Sequence, residues 1–231
     1  VFEEGLNLPM GYLFRAGEPN QTLFEILSAN VRDPRAAEGD LLSLTACNKT
    51  GCDRLLASMD EFEIEDLEEL AQYIVSSSRD AMLADIRQLP AGSWTNQMRV
   101  DGYDEPIDLV CKVTIGSDGI DVDWAGTSAV SQFGINVPLT YAQAYSSFGV
   151  RCVIGNDIPN NAGSLSVVRV TADEGCILNA PRPAAVSARH TMGQMLPDVV
   201  LGCLREPLNS NVPAEGASCL FGPVFMGGQG V

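Results

Sequence analysis

The single histidine of the chain, His190, stands four residues before Gln194. If this stretch is helical, His190, Gln194 and Asp198 share one face, because residues four apart lie one turn above another. An imidazole beside a carboxamide and a carboxylate can orient a substrate, and the aspartate can fix the histidine tautomer. The competing interpretation is a histidine that packs between helices. His190 is therefore a candidate catalytic residue, and Gln194 is a candidate substrate ligand.

A rigid polar loop is predicted at residues 157–163, Asp-Ile-Pro-Asn-Asn-Ala-Gly. Pro159 holds the residue before it in an extended conformation. Asn160 and Asn161 tolerate left-handed backbone and can bond the local chain. Loops on a rigid scaffold often carry binding groups, so Asn160 and Asn161 are candidate substrate ligands. The alternative is a turn whose polar groups satisfy only one another.

A second polar cluster follows a predicted strand and comprises Asp123, Thr127, Gln132 and Asn136. Within this cluster Asp123 is a candidate catalytic residue. Asn136 is a candidate substrate ligand, although capping of a helix that starts at Leu139 would also explain an asparagine there.

Residues 1–90 are predicted to be mainly helical. A short apolar-periodic segment at 22–32 precedes Asp33 and Pro34, which are typical of a helix N-cap and first position. A long amphipathic helix follows, and a third helix begins near Ile64. Carboxylates crowd the start of that third helix. A solvated helix start is the favoured interpretation, and a metal or partner site is the alternative.

From residue 91 the apolar residues recur at every second position, as in strands. Later in residues 91–231, segments with a helical pattern and segments with a strand pattern both occur. Strands are predicted at 94–100, 107–115 and 120–124, and they form an antiparallel meander with a tight turn at 116–119. The remaining predicted elements are a helix at 139–154, a strand at 164–172, a helix at 187–207 kinked by Pro197, and a last strand at 218–225. This order predicts an α+β fold.

The chain of 231 residues has a formal net charge of −16 and no cluster of basic residues. Binding to nucleic acid or anionic membranes is therefore disfavoured, because phosphates require clustered Lys and Arg. No apolar run approaches the ~20 residues of a membrane span. The seven cysteines lack the paired spacing of a zinc site and indicate reduced thiols in a cytoplasmic protein.

Several short motifs occur in a fixed order, and together they resemble the hydantoinase B/5-oxoprolinase family. They are Glu-Gly-Leu at 4–6, Asn-Val-Arg-Asp-Pro at 30–34, Gly-Asp at 39–40, Asp-Trp-Ala-Gly-Thr at 123–127, Gly-Ile-Asn-Val-Pro at 134–138, the loop at 157–163 and Asn-Ala-Pro at 179–181. Ala125 replaces a usual hydroxyl residue, and Ala180 replaces a usual proline. The family includes ATP-dependent hydantoin and lactam hydrolases and the related acetone and acetophenone carboxylases.

The resemblance implies that this chain is an internal part of a larger, metal-dependent enzyme. A hydantoinase A-type partner would bind ATP and Mg²⁺, and the substrate oxygen would be phosphorylated before hydrolysis or carboxylation. The family's divalent-metal ligands lie in Gly-Gly-x-His and His-x-x-Asp segments, and neither segment occurs in this sequence. We therefore expect upstream segments to hold the metal, and we assign no metal ligand to this chain.

Three functional interpretations follow from the sequence and the resemblance. The first is a component of an ATP-dependent hydrolase that opens a small cyclic amide such as a hydantoin, 5-oxoproline or a lactam, within a hetero-oligomer. The second is a component of an ATP-dependent ketone carboxylase of the acetone or acetophenone type. The third is a structural segment that supports oligomerisation while the chemistry lies elsewhere.

Overall fold

The structure is a computed structural model that describes residue 6 and residues 8–216. The described residues divide into two compact units, one ending at Leu70 and the other beginning at Ala71. Helices and a mixed sheet occur in the order that the sequence predicts, so the α+β fold is confirmed.

The first unit is built around two helices. A short hairpin of β1 (Phe14–Arg15) and β2 (Glu18–Pro19) precedes α1 (Gln21–Asn30) and α2 (Pro34–Glu61). The predicted N-cap of α2 is confirmed, because the Asp33 carboxylate accepts a hydrogen bond from the Ala36 amide at 3.1 Å. Helix α1 packs against α2, and no residue of α2 is fully buried.

Helix α3 (Leu67–Ile86) begins slightly later than the sequence predicts. Its buried residues all lie in its second half, where Met82 and Ile86 join the core of the second unit. The acidic residues Glu68 and Glu69 occupy its first turn, where a carboxylate is favoured by the positive end of the helix dipole.

The second unit is organised by a four-stranded sheet. Strands β3 (Gly92–Val100), β4 (Ile107–Gly116) and β5 (Gly119–Asp123) form the predicted antiparallel meander, and β6 (Val168–Thr171) adds to β5 in parallel. Gly119 has a φ of +147°, and a Cβ there would lie 2.4 Å from the Val167 carbonyl oxygen. A glycine is therefore required where the hairpin turn meets the approach to β6.

The core lies between this sheet and two helices. Alternate residues of β4 are buried, as expected for a strand with one face against the core. Helix α7 (Leu196–Leu204) packs against β3 and β4, and helix α4 (Leu139–Arg151) packs against β6 and α7. Trp124 is fully buried, and its indole Nε1 donates to Ser146 Oγ of α4 at 3.0 Å. This bond ties the exit of β5 to the middle of α4.

The strand predicted at 164–172 is wrong in its first part. Residues Ala162–Leu165 form a single helical turn, α5, and the strand begins only at Val168. Asn161 and Ser164 make a reciprocal capping box that satisfies the amides at the helix start. This local bonding outcompetes the alternating pattern that favoured a strand.

The single kinked helix predicted at 187–207 is also wrong. Two helices, α6 (Arg189–Gly193) and α7, are separated by a break at Gln194 and Met195. Pro197 lies in the first turn of α7, where a missing amide proton costs no intrahelical bond. Asp198 consequently belongs to a different helix from His190, and the predicted shared face of His190, Gln194 and Asp198 does not form.

The predicted last strand at 218–225 lies outside the described residues. Among the helices of the described chain, none combines the length and apolar character that crossing a lipid bilayer requires.

Candidate functional site

Five of the six candidate site residues fall into two groups at opposite ends of α4, and Asp123 lies apart from both, at the end of β5. Near its start, the Ala188 amide donates to the Gly134 carbonyl at 2.7 Å, which brings the segment before His190 against the loop that contains Asn136. At its end, Arg151 donates through Nε to Asn160 Oδ1 at 2.9 Å. A helix of 13 residues spans about 20 Å, so the two groups do not meet around one small ligand.

Asn136 organises the loop before α4. Its side chain is fully buried, accepts a hydrogen bond from the Ser131 amide at 2.7 Å, and donates to the carbonyls of Ser131, Phe133 and Ala185 at 2.9–3.0 Å. Every donor and acceptor of this carboxamide therefore has a protein partner. Asn136 joins the loop to the Ala185 segment, and its predicted role in substrate binding stays a prediction.

Replacing Asn136 with alanine is expected to destabilise the second unit by about 2 kcal/mol, because buried backbone groups lose their partners. Thermal unfolding followed by tryptophan fluorescence measures the change, since Trp94 and Trp124 both lie in that unit. Gln132→Ala, which truncates an exposed carboxamide on the same loop, is the matched control. Equal stability of the two variants would contradict the organising role of Asn136.

His190 lies in α6 beside an aromatic cluster on α4. The rings of Tyr141 and Tyr145 stack with centroids 4.5 Å apart, and the Arg189 guanidinium lies over Tyr141 at 5.9 Å. A Cβ on Gly193 would lie 2.2 Å from the Tyr141 ring, so the absence of a side chain permits this approach. Burial, together with the contact to Tyr145, raises the pKa of Tyr141 to about 12.

The His190 imidazole is half-buried and makes no side-chain hydrogen bond within the described part of the chain. Gln194 follows α6 directly, and its amide donates to the His190 carbonyl at 3.0 Å. His190 and Gln194 are therefore neighbours, although the single long helix predicted for this segment is not formed. An imidazole whose nitrogens have no partner among the described residues can donate to, or accept from, a polar ligand.

Hydrogen bonds from the guanidinium of Arg151, the last residue of α4, hold the loop at 157–163. This guanidinium is buried and donates to the carbonyls of Ile154, Gly155 and Ile158 as well as to Asn160 Oδ1. None of these acceptors carries a formal charge. The Asp157 and Asn160 side chains lie at the exposed surface of the loop, so the charge of Arg151 fixes the backbone that presents them.

Asn161 connects the same loop to two helices. Its Oδ1 accepts from the amides of Gly163 and Ser164, and its Nδ2 donates to Ser78 Oγ of α3 at 2.7 Å. The capping bonds fix the start of α5, and the bond to Ser78 fixes the position of the loop on α3. In this arrangement the carboxamide is occupied by the protein, and its predicted contact with substrate stays a prediction.

Asp123 ends β5 and holds the turn that follows. Its Oδ1 accepts from the Ala125 amide at 3.1 Å and lies 3.4 Å from Thr171 Oγ1. Thr127, from the same predicted cluster, bonds both backbone groups of Val110 and is buried. The two residues shape the exit of the sheet, while the half-buried Asp123 carboxylate keeps capacity to accept a further donor.

A cavity of about 590 Å³ between β3 and α7 is a feature that the sequence did not predict. Asn96, Asp198, Arg205 and Glu215 contribute its polar lining. Burial and the nearby Glu215 raise the pKa of Asp198, whose Oδ2 has no hydrogen-bond partner among the described residues. No spacing in the sequence connects α7 to β3, because their contact depends on the tertiary packing.

Metal-ligating side chains are dispersed over the described chain. Within the described residues, no three His, Cys, Asp or Glu side chains lie close enough together to hold a metal ion. The six cysteines that the structure describes are free thiols, and three of them are exposed: Cys47, Cys52 and Cys152. These residues therefore provide no donor set to which a metal can be assigned.

Comparison with known proteins reveals relatives of this chain. The model of the hydantoinase B/oxoprolinase family matches residues 1–230. A relative in Pseudomonas sp. (strain NS671), a putative D-/L-hydantoinase component of the B type, is 28% identical over 229 residues. That alignment covers 93% of this chain but 38% of the relative, so the chain spans about two-fifths of that protein.

Two solved structures share the fold. The ATP-dependent caprolactamase from Pseudomonas jessenii superposes with a TM-score of 0.78 and 22% identity, over 88% of this chain and 36% of that chain. An acetone carboxylase in its nucleotide-free state gives a TM-score of 0.72 and 13% identity, over 90% of this chain and 30% of that chain. At these identities the likeness establishes the fold alone.

Proposed function

Because this chain belongs to the hydantoinase B/oxoprolinase family, we propose that it forms part of an enzyme that opens a small cyclic amide in an ATP-dependent reaction. The observation that carries the proposal is the extent of the family match, which includes both compact units of the described chain. The relative named as part of a hydantoinase supports ring opening as the reaction.

The proposed enzyme is a cytoplasmic hetero-oligomer. In this proposal a hydantoinase A-type subunit holds ATP and Mg²⁺. The relative supports the existence of a partner, because its name makes it one component of a hydantoinase. When bound, the nucleotide supplies the phosphoryl group that activates the amide carbonyl. The described residues do not provide a metal-binding cluster, so we assign no divalent-metal ligand among them.

The experiment that tests this function uses the full-length protein, purified alone and together with a hydantoinase A-type subunit. Hydantoin and 5-oxoproline are supplied with Mg²⁺ and ATP, and phosphate release and ring-opened product are measured together. Equal amounts of phosphate and product, formed only by the combined proteins, support the proposal. ATP hydrolysis that depends instead on acetone and bicarbonate identifies the ketone carboxylase, a possibility consistent with the shared fold.

The same assay distinguishes a purely structural role of this chain from a contribution to catalysis. If the A-type subunit alone forms product at the rate of the combined proteins, this chain is a scaffold and the proposal fails. If product requires this chain, single-residue variants separate its contributions. The two groups at the ends of α4 provide those variants, because one small substrate contacts only one of them.

We place the substrate at the start of α4, beside His190 and Gln194. The half-buried imidazole, without a hydrogen bond in the described chain, is available to a polar ligand, whereas the Asn161 carboxamide is occupied. Asp123 and Asn160 remain alternative contacts at other positions. His190 is proposed to hold or move a proton at the amide as the ring opens.

His190→Gln is expected to lower kcat for ring opening about tenfold to a hundredfold with an unchanged melting temperature, because a carboxamide fills similar space but cannot titrate. The matched control is Asn160→Gln, an amide-preserving change at the far end of α4. The rate of ring-opened product formation, measured at saturating substrate, decides between the two positions. A larger loss for Asn160→Gln than for His190→Gln would move the substrate to the loop at 157–163.

A further inference from the structure

Helix α2 carries a mainly apolar stripe along most of its length. Its members follow one another at intervals of three or four residues, and the last of them comes directly after the helix. We call this set the α2 stripe, and it consists of Leu41, Leu44, Asn48, Cys52, Leu55, Met59 and Phe62. At about 100° per residue these positions fall within a sector of about 80°, over a length of about 30 Å. A sector this narrow is typical of a seam between two packed helices.

The α2 stripe faces solvent in the described part of the chain. The exposed fractions are 62% for Leu44, 48% for Leu55 and 68% for Phe62. Helix α1 packs on another side of α2, where Leu42 lines a groove together with Phe24 of α1. On the helical wheel, Leu42 lies about 120° from the middle of the stripe. Helix α1 therefore leaves most of the stripe uncovered.

The first compact unit has almost no core of its own. Among its described residues, Phe24 alone is buried. A folded unit normally requires an apolar core, because burial of apolar surface has to offset the conformational entropy that is lost when the chain becomes ordered. Packing of an amphipathic face also supplies most of the stability of a helix in a protein. The unit therefore requires a cover that is present whenever the protein is folded.

The same polypeptide can provide such a permanent cover. The hydantoinase relative from Pseudomonas sp. is matched over 38% of its length, so about three-fifths of that protein lies outside the match. A segment of the same chain is held at a high effective concentration, which makes its contact independent of protein concentration. A second copy or a separate subunit stabilises the unit only when its concentration exceeds the dissociation constant, so the cover would be lost on dilution.

We propose that the α2 stripe packs against an amphipathic helix from the part of the same polypeptide that lies outside these 231 residues. That helix carries apolar residues at intervals of three and four, which interdigitate with Leu44, Leu55 and Phe62. It presents a polar group to Asn48, because a carboxamide in a buried seam requires a hydrogen-bond partner. This inference rests on the family match and not on the proposed reaction.

Two thiols of α2 provide the first test. Cys52 belongs to the stripe, and Cys47 lies about 140° away on the helical wheel. Both thiols are exposed in the described chain. In the native full-length protein, Cys52 is expected to react with iodoacetamide at least about tenfold more slowly than Cys47, because the packed helix protects its sulfur. Mass spectrometry of the two peptides measures both rates in one sample, and urea that unfolds the protein should make the rates equal.

Photochemical cross-linking identifies the occupant. The full-length protein with p-benzoylphenylalanine in place of Leu55 is expected to form a cross-link to residues of the same polypeptide outside these 231 residues. The matched control carries p-benzoylphenylalanine in place of Thr50, which lies about 160° from the middle of the stripe, and should give no cross-link to that segment. Peptide mapping locates each attachment point, and the mass of the product separates cross-links within one polypeptide from cross-links between two.

Each alternative occupant gives a different result. Cross-links from position 55 to residues 71–231 would show that this chain covers its own stripe. Protection of Cys52 that rises with protein concentration, together with products of twice the mass, would assign the stripe to a second copy. Protection that appears only after a hydantoinase A-type subunit is added would assign it to that subunit. Any of these results, or equal reactivity of Cys52 and Cys47, overturns the inference, whereas the proposed function is decided by its own ring-opening assay.

Discussion

Replacing Gly163 with alanine is expected to reduce the free energy of unfolding of the second unit by at least about 3 kcal/mol, the upper end of overpacking penalties. A Cβ at this position would lie 1.9 Å from the Val75 carbonyl oxygen and 2.7 Å from its carbon. Both are backbone atoms of α3, so no side-chain rotation relieves the overlap. The start of α5 would have to withdraw from α3, and the bond between Asn161 and Ser78 would be lost with it.

Urea unfolding followed by tryptophan fluorescence measures this loss, because both tryptophans lie in the second unit. Gly51→Ala is the matched control, since no atom lies within 4 Å of a Cβ built there. That change in the interior of α2 is expected to leave the fluorescence transition in place and to stabilise the helix, by roughly 0.5–1 kcal/mol. A Gly163→Ala protein that unfolds with the wild-type midpoint would show that α3 and α5 are not closely packed.

Sequence reasoning recovers the elements that are determined locally. The period of two in β3, β4 and β5 reports their alternating burial, and the tight turn between Gly116 and Gly119 sets their register. The cap at Asp33 follows from a side chain that bonds an amide three residues later. Each of these signals acts within one element or between adjacent ones, so the pattern alone is sufficient.

The errors arise where tertiary contacts decide the outcome. The alternation at 164–172 continues into α5, yet the capping box and the contact with Val75 place a helical turn there. From the sequence, Pro197 could either kink one long helix or lie in the first turn of a new one. In the structure it lies in the first turn of α7, and this turn packs closely against Gly149 of α4. The parallel pairing of β6 with β5 joins segments separated by α4, which no local spacing encodes.

The candidate site shows the same division. The sequence predicts a rigid polar loop at 157–163, and the bonds of Arg151 and Asn161 within the structure confirm that this loop is constrained. It does not indicate which polar groups are bonded within the protein itself, because the partners of Asn136 and Asn161 come from distant segments such as Ala185 and Ser78. It also gives no sign that Arg151, in an apolar stretch of α4, is the residue beneath the loop.

Replacing Arg151 with methionine is expected to destabilise the second unit by about 3–5 kcal/mol, since several buried acceptors lose a charge-assisted donor at once. Methionine matches the length of the aliphatic stem but donates nothing to the carbonyls of Ile154, Gly155 and Ile158. Arg151→Lys is expected to recover only part of the lost stability. Lysine keeps the positive charge, but its compact ammonium cannot reach all of the acceptors that are spread along the loop. Hydrogen exchange of the amides at 154–160 should increase in both variants.

Arg99→Met is the control for loss of a guanidinium as such. Arg99 pairs with Asp108 on the surface, where its side chain is 70% exposed, and its removal is expected to leave the fluorescence transition unchanged. A loss of stability in Arg151→Met but not in Arg99→Met would attribute that loss to the burial of Arg151 and to the number of acceptors that it bonds. If Arg151→Met unfolds with the wild-type midpoint and the exchange at 154–160 is unaltered, Asn161 and Ser164 hold the loop without Arg151. A large loss would instead establish that the loop at 157–163 owes its geometry to a buried cation.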